Sequence, residues 1–177
     1  RRVLFRSVPQ SDLRIEVSLP EHAARRRVSG HVTAQTKLTH DITRLDVQLD
    51  EALDYAAGQF ADISIDALPG VSRSYSFATP AQPDGQVSFF VRKVPGGVFS
   101  TAVNEQDFVG QPMQVDGPSG NFWLRTSDAP MLLMAGGSGL APVLALLQDA
   151  LAKGVTRSTT LLFGARTEAD LYALDEI

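Results

Sequence analysis

The sequence predicts a β plus α/β protein: an antiparallel sheet closed as a barrel or sandwich, followed by a parallel α/β layer. Two observations predict it. Between Val28 and about residue 127, short alternating segments recur at intervals of about 8 to 15 residues, separated by Gly, Pro and Asp, the pattern of half-buried antiparallel strands. From Pro130 onward the texture switches to continuous apolar runs alternating with helical periodicity, which is the pattern of a parallel sheet carrying crossover helices.

Residues 1–27, "RRVLFRSVPQSDLRIEVSLPEHAARRR", carry prolines at 9 and 20 and basic clusters at both ends, and read as a linker or tail. Arg25, Arg26 and Arg27 read as a solvated charge run, with a grip on an acidic partner as the alternative. The barrel unit, 28–127, is built from "HVTAQTKL", "ITRLDVQLD", "FADISI", "SYSFAT", "QVSFFVRKV", "QPMQVDGPSG" and "NFWLRT". "GVFSTAVNEQ" breaks the alternation after two glycines and predicts a loop feeding a short helix. In the third unit, 128–177, "MLLMAG" reads as a buried strand, "GSGLAP" as a turn and "VLALLQDALAKG" as a helix that Gly154 ends. "STTLLFGAR" repeats the strand, and "TEADLYALDEI" predicts a second helix.

The 177 residues are 44% hydrophobic, enough for one large core or two small ones. A net charge of -4 argues against nucleic-acid binding, which needs a basic face. No cysteine is present, so this chain holds no disulfide, zinc-thiolate site or iron-sulfur cluster. The longest apolar run, Met131 to Ala135, is too short to span a membrane, and no secretory signal is evident, which predicts a soluble cytoplasmic protein. His22, His31 and His40 follow no ligand spacing and read as surface residues; no metal site is expected.

Three stretches bear chemistry. "AGGSGLAP", Ala135 to Pro142, lies where a strand gives way to a helix, where glycines let a diphosphate approach the positive end of the helix dipole. A tight turn whose glycines serve packing alone explains it equally well. "PGGVFST", Pro95 to Thr101, offers a second phosphate nest with the Ser100 hydroxyl; the alternative is a hairpin loop with a Ser N-cap. In "RSYS" the strand alternation puts Arg73 and Tyr75 on one face and Ser74 and Ser76 on the other. A guanidinium beside an aromatic ring suits an anionic ligand with a flat ring system, although an arginine lying over a core tyrosine gives the same pattern. "DGPSGNFWL" predicts a turn and a strand with Phe122 and Trp123 on opposite faces, one of them in the core.

Taken in order, "GQF" (58–60), "RSYS" (73–76), "GGVFS" (96–100), "GPSGNF" (117–122), "GGSGLAP" (136–142) and "LLFGAR" (161–166) resemble the ferredoxin-NADP reductase family. "FFVRKVPGGVFS" and "GARTEADLYALDEI" narrow the likeness to reductase components of bacterial multicomponent oxygenases, of the methane, phenol, alkene and benzoate type. The resemblance implies an FAD-binding Greek-key barrel followed by a Rossmann-like nicotinamide domain. It also implies an NAD(P)H-dependent oxidoreductase that sends electrons through FAD to a ferredoxin domain or an oxygenase component, with NADH favoured over NADPH.

The same resemblance implies residue roles. Arg73 would hold the FAD diphosphate, Tyr75 would stack on the isoalloxazine, and Ser76 would hydrogen-bond near flavin N5. Ser138 would lie close to the hydride-transfer centre, making Ser76 and Ser138 the catalytic candidates. The cofactor-binding set extends to Ser74, to Val91, Arg92 and Val94, and to the loop Gly96, Gly97, Val98, Phe99 and Ser100. For the nicotinamide dinucleotide it takes in Gly136, Gly137, Ser138, Gly139, Ala141, Pro142, Gly164 and Arg166. Arg6 to Val17 fits the tail of a ferredoxin domain, but Phe5 stands where its last cluster cysteine is expected. A Cys-Gly-Pro stretch and a C-terminal aromatic region are also missing, which predicts a fragment cut within the nicotinamide domain. A flavin-binding module without useful catalysis and an accessory electron-transfer subunit are the alternatives.

Overall fold

A computed structural model of the chain describes residues 11–12 and 24–177. The ferredoxin-like tail at Arg6 to Val17, apart from Ser11 and Asp12, and His22 lie outside the described residues. Six strands form one antiparallel sheet: β1 (Arg26–Lys37), β2 (Ile42–Leu49), β3 (Phe60–Ile65), β4 (Arg73–Ser76), β5 (Gln86–Arg92) and β6 (Pro112–Ser119). Their order, β4-β3-β6-β1-β2-β5, is a Greek-key arrangement, because β6 returns between β3 and β1. A bridge from Phe77 to Phe89 joins the two edges, so the sheet closes into the expected barrel.

Alternation builds the core. Leu45 and Val47 of β2 stand opposite Phe89 and Val87 of β5, Ile63 and Ile65 of β3 stand opposite Val115 and Met113 of β6, and Leu49 and Val91 join the same core, all buried. Phe77 stacks on Tyr55 at 3.7 Å between ring centroids and lies 5.3 Å from Phe89. Helix α1 (Val98–Glu105) plugs one end through Phe99, Ala102 and Val103. Gly30 of β1 has no room for a side chain against β2: an added Cβ would press into the carbonyl oxygen of Gln48.

The second unit contains parallel strands β7 (Met131–Gly136) and β8 (Thr159–Gly164), joined by α2 (Leu140–Ala152). α2 ends as Gly154 predicts: at φ +66 it lets its own N–H reach the Leu151 carbonyl and the next N–H reach that of Ala150. Leu133 is buried, whereas Leu132, Met134 and Leu162 are exposed on the sheet. Barrel and α/β layer share an apolar seam in which Ile42, Ala78 and Phe90 pack with Leu140, Ala141, Leu144 and Tyr172. Among the described residues no helix is long and apolar enough to cross a membrane.

Four local expectations change. β1 starts at Arg26, and the arginine run is braced on the barrel rather than simply solvated: Arg25 bonds Asp62 at 2.6 Å and Asp116 at 2.7 Å, and Arg26 bonds Glu51 at 2.9 Å. "NFWLRT" forms no strand, because the chain leaves the sheet after Ser119 to reach β7. Neither of its aromatics enters the core: Phe122 is 50% exposed, and Trp123 lies half-buried under the Arg125 guanidinium. The C-terminal helix is reduced to a single 3-10 turn, Glu168–Asp170. There Thr167 and Asp170 cap each other, Leu171 is extended, and Ala173 adopts φ 53, which turns Tyr172 into the seam.

Gly30→Ala is expected to cost about 1 to 3 kcal/mol through overpacking, read as a lower urea midpoint at unchanged slope. A second outcome follows from the Arg25 brace. Asp62 is held below the usual carboxylate range by the Ser74 hydroxyl and then Arg25, and Asp116 by Arg25. Carboxyls with lowered folded-state pKa stabilise the fold above their ordinary value of about 3.9, and that contribution disappears as pH falls through the lowered value. Arg25→Ala should therefore lower the urea midpoint between about pH 5 and 7, and the gap from the parent chain should close below about pH 4.

Candidate functional site

β4 is an edge strand whose four residues pair with β3 from Phe60 to Ile63, and the next residue, Phe77, is sealed in the barrel. The alternation expected for "RSYS" holds. Ser74 turns to β3 and donates to the Asp62 carboxylate, while Tyr75 turns the other way and lies 5.6 Å from the Phe99 ring. Burial pushes the Tyr75 phenol up to about 12, so it stays neutral and remains a donor. Arg73 is exposed, donates to the Ser72 carbonyl at 2.7 Å and meets no carboxylate among the described residues. Ser76 is half-buried, with its backbone opposite Phe60.

The glycine loop before α1 differs from a Ser-capped hairpin. Gly97 is the N-cap and no side chain caps the helix. The buried Ser100 hydroxyl accepts from the Val94 N–H at 3.1 Å and donates to the Gly97 carbonyl at 3.3 Å, so it fixes the loop and does not face outward. The Gly97 N–H is likewise spent on the Val94 carbonyl. The first helical N–H groups, from Val98 onward, have no partner within α1, which leaves an open donor set beside a cleft of about 390 Å3 that Gly96 and Thr101 also line. Gly96, at φ +73, has open space where a Cβ would stand. Val94 and Val98 are exposed. Val91 and Phe99 turn their side chains into the core, because strand alternation and the buried face of α1 place them there, leaving only backbone atoms for a ligand.

The third expected stretch lies across the seam. After β7 the chain makes a 3-10 turn, Gly137–Gly139, with Gly137 at φ 53, and enters α2 at Leu140. Ser138 and Pro142 are half-buried, Gly136 and Gly139 exposed, and Ala141 buried in the seam. A crevice of about 260 Å3 opens where the parallel strands end, between Gly137, Gly164 and Arg166 on one side and Asp41 and Arg92 on the other. Arg92 Nε donates to Asp41 at 3.0 Å, and Arg166 reaches the same carboxylate oxygen at 3.3 Å. Burial pushes Asp41 up, but bonds from Arg92 and Thr39 outweigh it and hold the carboxyl below its usual range.

Sequence reasoning missed two residues here. Asp41 reads as an ordinary turn acid, and nothing local reveals that its carboxylate meets arginines 51 and 125 positions away. Tyr172 looked like part of a helix; its hydroxyl donates to the Gly137 carbonyl at 2.8 Å and its ring meets Phe90 and Phe163 edge-on at 5.6 and 5.5 Å. His40, read as an isolated surface histidine, stands beside Asp41 and Asp170, with one ligand-type atom of each within 4.8 Å. Those two carboxylates face the guanidiniums of Arg92 and Arg166.

Comparisons with known proteins agree with this geometry. A family model described as the oxidoreductase FAD-binding domain matches residues 29–123, and one described as the oxidoreductase NAD-binding domain matches 133–177. The chain is 41% identical over 172 residues to the xylene/toluene monooxygenase electron transfer component of Pseudomonas putida, covering 96% of this chain and 49% of that protein. It is 37% identical to the propane 2-monooxygenase reductase component of Gordonia sp. (strain TY-5), covering 99% of this chain and 53% of the relative. Among solved structures, the ferredoxin reductase in carbazole 1,9a-dioxygenase superposes with a TM-score of 0.81 at 31% identity, over 89% of this chain and 48% of that one. The chain thus spans about half the length of these relatives. With both family models matching in series over a Greek-key barrel and a parallel α/β layer, the chain belongs to the FAD- and NAD-binding oxidoreductases of the ferredoxin reductase type.

Proposed function

We propose that this chain is the flavin-carrying part of a cytoplasmic reductase component that passes electrons from NADH through FAD to an iron-sulfur centre serving an oxygenase. The observation that carries the reading is the contact of Tyr75 with Phe99, 5.6 Å between centroids, because it brings the "RSYS" strand against the first turn of α1. A guanidinium with no carboxylate partner among the described residues, a neutral tyrosine and an uncapped helix N-terminus thereby come together. That donor set fits a dinucleotide with a diphosphate and a flat ring system.

When bound, FAD supplies the ability to take a hydride as two electrons and release them one at a time. The chain's own residues bind and orient. Arg73 and the open N–H groups of Val98 and Phe99 would hold the diphosphate, with Ser100 and Gly97 keeping the loop in shape. Tyr75 would cover one ring face, and Ser76 would hold charge or a proton at N5. Ser74, tied to Asp62, positions the strand rather than meeting the ligand. The glycine turn and the crevice between Gly137 and Gly164 would receive the nicotinamide dinucleotide, as ligands of open parallel sheets bind outside the carboxyl ends of their strands. In this reading residues 28–127 are the flavin domain and 128–177 the first part of the nicotinamide domain. The acceptor cluster belongs to a ferredoxin domain or an oxygenase component, since the chain has no cysteine.

A second reading, a flavin-binding module with little NADH oxidation, is favoured by the engagement of both crevice arginines with Asp41. Titration with FAD should quench flavin fluorescence at a one-to-one ratio; no quenching would refute both readings. Arg73→Ala should weaken FAD binding by about 1.5 to 3 kcal/mol if it makes a charge-assisted bond to the diphosphate. In stopped flow, rapid NADH-dependent bleaching of bound FAD supports the reductase, and no bleaching at millimolar NADH supports the module.

A further inference from the structure

The crevice at the ends of β7 and β8 is lined by two guanidiniums, and both are already engaged. Arg92 comes from the barrel and Arg166 from the loop after β8, yet they converge on one oxygen of Asp41, at 3.0 and 3.3 Å. Asp41 is contributed by the β1–β2 turn, where the Thr39 hydroxyl donates to its other oxygen and its own carbonyl accepts from the Lys93 N–H. Only 16% of its side chain is exposed, so the carboxylate sits between the arginines rather than in bulk water. Arg92 also lies over the glycine turn, its Nη1 3.3 Å from where a Cβ on Gly137 would be.

We propose that Asp41 is an internal stand-in for ligand phosphate, a residue that sets how much negative charge the crevice accepts. This rests on the crevice receiving a phosphate-bearing dinucleotide, as described above. An anionic group entering between Gly137 and Gly164 competes with Asp41 for Arg92 and Arg166, and with Asp170, 3.6 Å from Arg166 Nε, for the latter. Each gained contact is offset by a lost ion pair, so added phosphate charge brings little added affinity. Because Asp41 and Arg166 belong to opposite sides of the seam, the exchange also releases one of the ion pairs that hold the α/β layer to the barrel. The acid thus weakens anion binding while it tightens the layers, an effect that local sequence does not reveal.

The test uses inorganic pyrophosphate as the probe, titrated calorimetrically into the whole chain and into Asp41→Asn. Asparagine keeps a side-chain oxygen that accepts from Thr39 but removes the negative charge that both guanidiniums share, leaving Arg166 its contact with Asp170. Pyrophosphate should bind about threefold to tenfold more tightly to the variant, with a steeper salt dependence. Adding Arg166→Gln to that variant should return the affinity toward that of the parent. Damage to the fold cannot produce tighter binding, so unchanged or weaker binding in Asp41→Asn overturns the proposal, as does no pyrophosphate binding by either chain. Should Asp41→Asn fail to fold, Arg166→Gln, whose side chain is 62% exposed, replaces it: a pyrophosphate affinity within about threefold of the parent supports the proposal, because the lost contact is offset by the lost Asp41 pair, and a larger loss overturns it. FAD titration of the same samples reports separately on the flavin reading, which stands or falls independently of the pyrophosphate result.

Discussion

The crevice at the ends of the parallel strands depends on the apolar seam between barrel and α/β layer. Ile42, Ala78 and Phe90 on the barrel exclude water together with Leu140, Ala141 and Leu144 of α2, and Tyr172 closes the edge. Burying aliphatic and aromatic side chains of this size contributes on the order of 1.5 to 3 kcal/mol each, well beyond what the partly exposed ion pairs around them contribute. The seam therefore sets the relative position of the layers, and polar groups at its border are placed by it. Tyr172 illustrates this: its ring is fixed by Phe90 and Phe163, and only then does its hydroxyl reach the Gly137 carbonyl and fix the glycine turn.

Within the barrel the governing constraint is closure. A four-residue edge strand such as β4 has little ladder of its own, and the Phe77–Phe89 bridge joins it to the far edge. Closure leaves the outward end of the strand, Arg73, exposed while sealing its continuation. Ser74 and Asp62 hold the outer face, and Arg25 extends that brace to Asp116 of β6. The same side of the barrel thus combines a rigid strand with an arginine that pairs with no carboxylate among the described residues.

Strand and loop order were legible in the chain because alternation and glycine spacing are local signals. The segments from "HVTAQTKL" to "QPMQVDGPSG" became strands, "GGVFS" became a loop and helix start, and "AGGSGLAP" became the turn into α2. Local signals failed where a segment's fate depends on distant partners. "NFWLRT" alternates like a strand but serves as the crossing from β6 to β7, and "TEADLYALDEI" has helical spacing that the burial of Tyr172 overrides. Ser100 had the right residue type for a phosphate ligand or an N-cap, yet its hydroxyl is taken up by Val94 and Gly97, because the tight loop leaves the Val94 N–H in need of an acceptor.

By itself, the sequence determined a β plus α/β protein with a cysteine-free chain, a glycine turn at a strand-to-helix junction and an arginine-tyrosine strand, since each follows from residue type, composition and local spacing. Tertiary structure alone decided that Asp41, Arg92 and Arg166 form one cluster, that Arg25 braces β3 and β6, and that Tyr172 fixes the glycine turn. The reason is physical: side-chain charge pairing acts over a few ångströms, and it takes the β2–β5 ladder to bring residues 41 and 92 within that range and the apolar seam to add residues 166 and 172.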